Sequence, residues 1–125
     1  MILADTSVWI DHLHRQNPEM QQRLDNGRIA MHPFIVAEVA LGSLHNRKKT
    51  FALMEMLWHV EVVHLDEVRR MIELHSLYSK GIGLTDAHLI ASCLITRGVQ
   101  LWTRDTRLAG VARTLGVIAD LPLPN

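Results

Sequence analysis

The chain has 125 residues, enough for one ordinary domain, and 48% of them are hydrophobic, enough for a real core. Thirteen basic and thirteen acidic residues cancel, which excludes a general electrostatic hold on nucleic acid. No apolar run nears the roughly 18 residues of a membrane span, no basic-then-apolar leader opens the chain, and the lone Cys93 cannot close an internal disulfide, so a cytoplasmic protein is expected.

Ile2-Leu3-Ala4 reads as a short buried strand, stopped by Asp5-Thr6-Ser7, where Thr6 or Ser7 is suited to cap a helix through Leu13. Asn17 as cap and Pro18 in the first turn begin a second helix that ends at Gly27. Arg28 to His32 is a second strand. Pro33 then opens the helix Phe34 to Gly42, which is apolar except for Glu38 and is expected to be buried. After the basic cluster Arg47-Lys48-Lys49, a helix runs from Thr50 to Trp58 and a short strand from Glu61 to His64. Asp66 is placed to cap a longer helix that ends at Gly81.

Gly83-Leu84-Thr85-Asp86 leads into the apolar helix Ala87 to Ile95, closed by Gly98. Val99 to Thr103 is a strand that runs into Arg104-Asp105-Thr106. A short helix from Arg107 to Leu115 stops at Gly116, Val117-Ile118-Ala119 is a last strand, and Leu121-Pro122-Leu123-Pro124 is a tail. Short, continuously apolar strands that alternate with helices predict a mainly parallel sheet covered on both faces. No repeat or linker divides the chain, so residues 1–125 form a single domain.

Within this pattern four carboxylates stand out: Asp5, Glu38, Asp86 and Asp105. Ligands of open parallel sheets bind beyond the carboxyl ends of the strands. Asp5 and Asp105 belong there, and Asp86 and Glu38 lie near the starts of their helices. Each acid alone has a bland explanation as a turn, cap or helix-dipole residue. Together they would repel, and a hard cation such as Mg²⁺ or Mn²⁺ is the natural remedy. The eight dispersed His and single Cys offer no competing ligand set. Thr6, Ser7 and Thr103 are placed to orient the acids by donating hydrogen bonds. The chain from Lys80 onward is locally basic, and Arg104 and Arg107 beside Asp105 are candidates to contact RNA phosphate or, equally, a solvated helix start.

Four segments carry a resemblance to one family. Ile2-Leu3-Ala4-Asp5-Thr6-Ser7-Val8-Trp9-Ile10-Asp11, Pro33 to Gly42, Gly83 to Ala91, and Leu101-Trp102-Thr103-Arg104-Asp105 resemble, in the same order, the PIN-domain proteins and the VapC toxins in particular. The resemblance implies a three-layer α/β/α PIN-like fold and a Mg²⁺- or Mn²⁺-dependent endoribonuclease, the toxin of a type II toxin–antitoxin pair. It implies Asp5, Glu38, Asp86 and Asp105 as catalytic metal ligands, converging on a common ion. It also implies structured RNA (tRNA or rRNA) as substrate, a VapB-type antitoxin as partner, a homodimer, and promoter DNA bound only through the antitoxin.

An antitoxin would need an apolar groove, for which Trp9, Phe34, Phe51, Met54 and Trp58 are candidates. The alternatives are a catalytically silent module of the same fold or another α/β phosphate enzyme. A haloacid-dehalogenase type would need an acid where Ser7 stands, and a response-regulator receiver would need a late lysine, whereas the last here is Lys80.

Overall fold

A computed structural model describes residues 1–122. Its elements, in order, are β1 (Ile2–Ala4), α1 (Thr6–Arg15), α2 (Pro18–Asp25), β2 (Ile29–Met31), α3 (Pro33–Ala40) and α4 (Arg47–Met56). These are followed by β3 (Trp58–His59), α5 (Leu65–Leu74), α6 (Leu84–Ile95), β4 (Gln100–Trp102) and α7 (Thr106–Thr114).

The four strands form one parallel sheet in the order β3-β2-β1-β4. Leu3 points to the opposite face of the sheet from Ile2 and Ala4, yet all three are buried. Helices therefore cover both faces, which gives the expected α/β/α layers. From β1 the chain steps outward to β2 and β3, then returns to place β4 on the other side of β1. The crevice between β1 and β4 is thus the topological switch point, where the loops leaving neighbouring strands diverge and a ligand can enter.

Local chemistry explains most boundaries. Asn17 caps α2, its side chain accepting from the Glu19 and Met20 amides, and Pro18 sits in the first turn, where a missing N–H costs nothing. Gly98 and Gly116 hold the left-handed backbone just beyond α6 and α7, a conformation without penalty for glycine.

Several boundaries differ from expectation. Asp5 caps α1, not Thr6 or Ser7: its Oδ1 accepts from the Val8 amide. The third strand is Trp58–His59, and residues 61–64 form none. Two exposed residues held by backbone pairing to Ala30 and Met31 leave no apolar alternation to read. Asp66 lies inside the first turn of α5, which starts one residue earlier and stops at Leu74. The Val117 to Ala119 segment reduces to a single parallel bridge, Ile118 opposite Leu101. The predicted tail runs past residue 122, outside the described residues. Among the described residues no helix is long and apolar enough to cross a membrane.

Trp9 and Met54 are wholly buried core residues, so neither can line a groove for a partner. Phe34 and Phe51 are half-buried, and Trp58 is exposed.

Candidate functional site

Asp5 follows the central strand and is only 5% exposed. Its backbone N–H donates to the Trp102 carbonyl at 2.9 Å, which ties the ends of β1 and β4 together. Its carboxylate is then surrounded by donors. Oδ1 accepts from the Val8 amide at 3.1 Å and from Ser7 Oγ at 2.5 Å, and Oδ2 accepts from Thr103 Oγ1. Burial raises the Asp5 pKa, and these hydrogen bonds to the charged form pull against it.

Thr103 joins two acids. Its hydroxyl donates to Asp5 and accepts from the Asp105 amide at 3.0 Å. Asp105 caps α7, accepting from the Arg107 amide at 2.8 Å and the Leu108 amide at 3.3 Å. Those bonds occupy Oδ1, and the residue is exposed at the crevice mouth. Ser7 makes the matching link from the other side: its hydroxyl accepts from the Arg104 amide at 3.0 Å while donating to Asp5.

Glu38 is exposed on α3, although the apolar helix around it suggested burial. Its missing polar neighbour is supplied by another helix, since Thr6 Oγ1 donates to Glu38 Oε1 at 2.6 Å. Asp86, in the first turn of α6, accepts from the Gly83 amide at 3.2 Å. Its pKa is raised, first by burial and then by the charges of Asp5, Asp105 and Glu38, against the lowering effect of the Gly83 amide. The four acids thus share one region of negative potential at the switch point.

The grouping is looser than a ligand shell. Among the described residues, no three His, Cys, Asp or Glu side chains are gathered closely enough to hold a metal ion together. Like charges separate, and each of these acids is tied to its own hydroxyl or amide. The donor set nevertheless suits Mg²⁺ or Mn²⁺. All four are hard oxygen donors, and Mg²⁺ usually keeps several waters and takes only one or two protein carboxylates.

Two buried polar residues carried little signal in the sequence. Asp11 is a buried acid on α1, its side chain 4% exposed, with Arg104 Nη1 at 3.0 Å and Arg15 Nε at 3.3 Å. Both contacts are ion pairs out of line for a hydrogen bond, and neither Asp11 oxygen has a hydrogen-bond partner among the described residues. The Arg104 guanidinium therefore spans from the β4–α7 turn to α1. The 11/15 spacing on one helix signals the Arg15 contact, and nothing in the sequence signals the Arg104 one. His32, fully buried, caps α3 by accepting the Phe34 amide on Nδ1 at 3.0 Å. Burial, then the proximity of His88 and His59, hold its pKa down at about 4. Arg107 is exposed, its side chain lying across the backbone of Gly81.

Comparison with known proteins supplies an independent reading. Residues 2–114 match the family model described as the PIN domain. The chain is 38% identical over 117 residues to the protein named Ribonuclease VapC32 in two strains of Mycobacterium tuberculosis, CDC 1551 / Oshkosh and ATCC 25618 / H37Rv, and the match covers 94% of both chains. The crystal structure of PAE2754 from Pyrobaculum aerophilum superposes with a TM-score of 0.59 over 91% of this chain and 90% of that one, at 19% identity, a likeness of fold.

Proposed function

Since the chain belongs to the PIN domain family, we propose that it is a metal-dependent endoribonuclease, the toxin of a toxin–antitoxin pair. One observation carries this reading: carboxylates from four separate segments border the switch point of a parallel sheet, with Asp5 and Asp105 linked through the Thr103 hydroxyl, Glu38 held by Thr6 beside Asp5, and the charges of all three raising the pKa of Asp86. The name of the relatives in Mycobacterium tuberculosis supports ribonuclease over other phosphate chemistry. The intact acid set favours an enzyme over a silent module.

Asp5, Glu38, Asp86 and Asp105 would hold Mg²⁺ or Mn²⁺. When bound, such a cation makes water a better nucleophile and offsets the charge that develops on a phosphodiester in hydrolysis. The chain's own contribution is preorganisation. Ser7 and Thr103 fix both oxygens of Asp5, and Thr6 fixes one oxygen of Glu38. The Arg107 and Leu108 amides leave Asp105 Oδ2 free to face the crevice. Locking ligand oxygens before the cation arrives reduces the ordering cost at each turnover.

The substrate we propose is structured RNA such as tRNA or rRNA, and the partner is a VapB-type antitoxin that covers the acid crevice. A homodimer, and promoter DNA engaged only through the antitoxin, belong to the same proposal. Incubating the purified chain with total RNA tests the chemistry. Cleavage should stop in EDTA and return with Mn²⁺ or Mg²⁺, and Asp5→Asn should remove both cleavage and growth inhibition. Cleavage that persists in chelator, or in the Asp5→Asn variant, would refute the mechanism.

A further inference from the structure

A second cleft, of about 330 Å³, lies between the turn after α5 and the exposed face of α7, and its lining includes Thr106 and Arg107, the residues that follow Asp105. Its volume lies within the roughly 300–1,000 Å³ typical of small-molecule pockets. Leu77, Val111 and Leu115 give it an apolar floor. His75, Lys80 and Arg107 line its rim, and no carboxylate lines it. Neither Lys80 nor Arg107 forms an ion pair with a carboxylate among the described residues. The Arg107 amide is itself the donor that caps onto Asp105 at 2.8 Å, so this cleft and the acid crevice share a border.

Two glycines keep the cleft in shape. A Cβ on Gly81 would come within 2.7 Å of Arg107 Cδ, so the backbone there is the surface along which the Arg107 side chain lies. Gly110 is more telling. It sits inside α7, where glycine costs roughly 0.5–1 kcal/mol relative to alanine. A Cβ on it would meet nothing within 4 Å, and its backbone is not in the left-handed region. Neither the fold nor the backbone requires glycine there. What its lack of a side chain does is keep the cleft open, since Gly110 is one of the lining residues.

We propose that this cleft seats one unpaired nucleotide of the RNA substrate, next to the phosphodiester facing the acids. The base would lie on the Leu77–Val111–Leu115 floor and its phosphate between Lys80 and Arg107. This rests on the ribonuclease reading above and adds where the RNA is gripped. An apolar floor suits the face of any base, and the cationic rim suits only an anionic partner. A neutral apolar ligand would leave both cations unused.

The test is binding without catalysis. A fluorescein-labelled ten-nucleotide single-stranded RNA is titrated with the intact chain in EDTA, followed by anisotropy, and compared with the same RNA as a duplex. Gly110→Leu fills the cleft and should weaken single-strand binding at least tenfold, with duplex binding unchanged. Gly110→Ala should weaken it only a few-fold. Both variants should melt at or above the parent temperature, since each improves helix propensity. Lys80→Gln should weaken binding and reduce the slope of log K against log salt by about 0.7.

Single-strand binding by Gly110→Leu within twofold of the parent would overturn the proposal and leave the cleft to another ligand, such as a protein partner. So would equal losses for single strand and duplex, or no RNA binding by the parent. Cleavage with Mn²⁺, followed in parallel, separates the two readings. Pocket-dependent binding without cleavage removes the hydrolase and keeps the nucleotide seat. Cleavage that Gly110→Leu leaves untouched does the reverse.

Discussion

Arg104 offers a sharp test of how the site is held, because its two roles predict opposite results. In the structure its guanidinium faces Asp11, whose carboxylate is buried, has no hydrogen-bond partner and is supported otherwise only by the largely exposed Arg15. Arg104→Met removes the main counter-charge while keeping the aliphatic stem. Breaking a buried pair on one side costs 3–5 kcal/mol. Arg15 remains at 3.3 Å from the same oxygen, so the lower end is expected, about 3 kcal/mol. In a chain of this size that lowers the melting temperature by about 10 °C. Adding Asp11→Asn to the same chain removes the stranded charge and should restore most of the loss. Thermal melting by circular dichroism, at low and high salt, measures all three proteins. If Arg104 serves RNA phosphate instead, Arg104→Met keeps its melting temperature and loses salt-dependent RNA binding. A loss below 1 kcal/mol, or a double variant no better than the single one, would refute the ion-pair argument.

Other predictions follow the remaining buried titratable groups. His32 must take up its proton only on unfolding: its folded pKa of about 4 lies below the ordinary 6.5. Stability is therefore full above pH 6.5 and falls by about 3 kcal/mol as pH drops to 4. His12 and His88, also pushed down by burial, act in the same direction, while the raised Asp5 and Asp86 carboxyls oppose them. His32→Asn keeps a cap acceptor for Phe34 but cannot titrate, so its stability should depend less on pH in this window; an unchanged slope would sink the assignment. Asp86→Asn should raise the melting temperature of the metal-free protein at neutral pH. The gain should shrink on acidification, because a carboxyl with a raised folded pKa costs stability only as pH rises through it. Mn²⁺ should stabilise the parent but not Asp86→Asn, and destabilisation by the substitution in chelator would contradict the shared negative potential. Cys93 is buried and its thiol is pushed up to about 12, so Ellman's reagent at pH 8 should find no thiol in the native chain and one in guanidinium.

The sequence exposed those parts of the molecule that rest on local rules. An apolar triplet closed by Asp5, and another run closed by Thr103-Arg104-Asp105, announce two strand ends, and Pro18 and Pro33 announce helix starts. Asp5 shows that a cap role and a site role are compatible, since its carboxylate caps α1 and also faces the site, while Thr6 and Ser7, the easier caps by residue type, serve as donors to the acids. Glu38 looked unsupported because Thr6, its partner, is 32 residues away on another helix. The same limit hid the pairing of Asp11 with Arg104: nothing at either position names the other until α1 and the β4–α7 turn are docked. Strand β3 was misplaced because two residues held by backbone pairing alone have no side-chain period to read.

The bond from Thr103 to Asp5 spans 98 residues, and the strands they close are direct neighbours in the sheet. Parallel neighbours so far apart along the chain pair slowly, since loop closure must precede any reward. During synthesis the first strand waits, with one flank open, for almost the whole chain to emerge. Asp5 acquires its hydroxyl partner, and Asp105 its place beside it, only when that last neighbour docks. A nascent or truncated chain therefore lacks an organised acid crevice, and the cleavage proposed above would become possible only as one of the final events of folding. If the chain is the toxin proposed above, the interval before the last strand docks is one in which it would be harmless, and a partner covering the crevice would need to be present only from that point on.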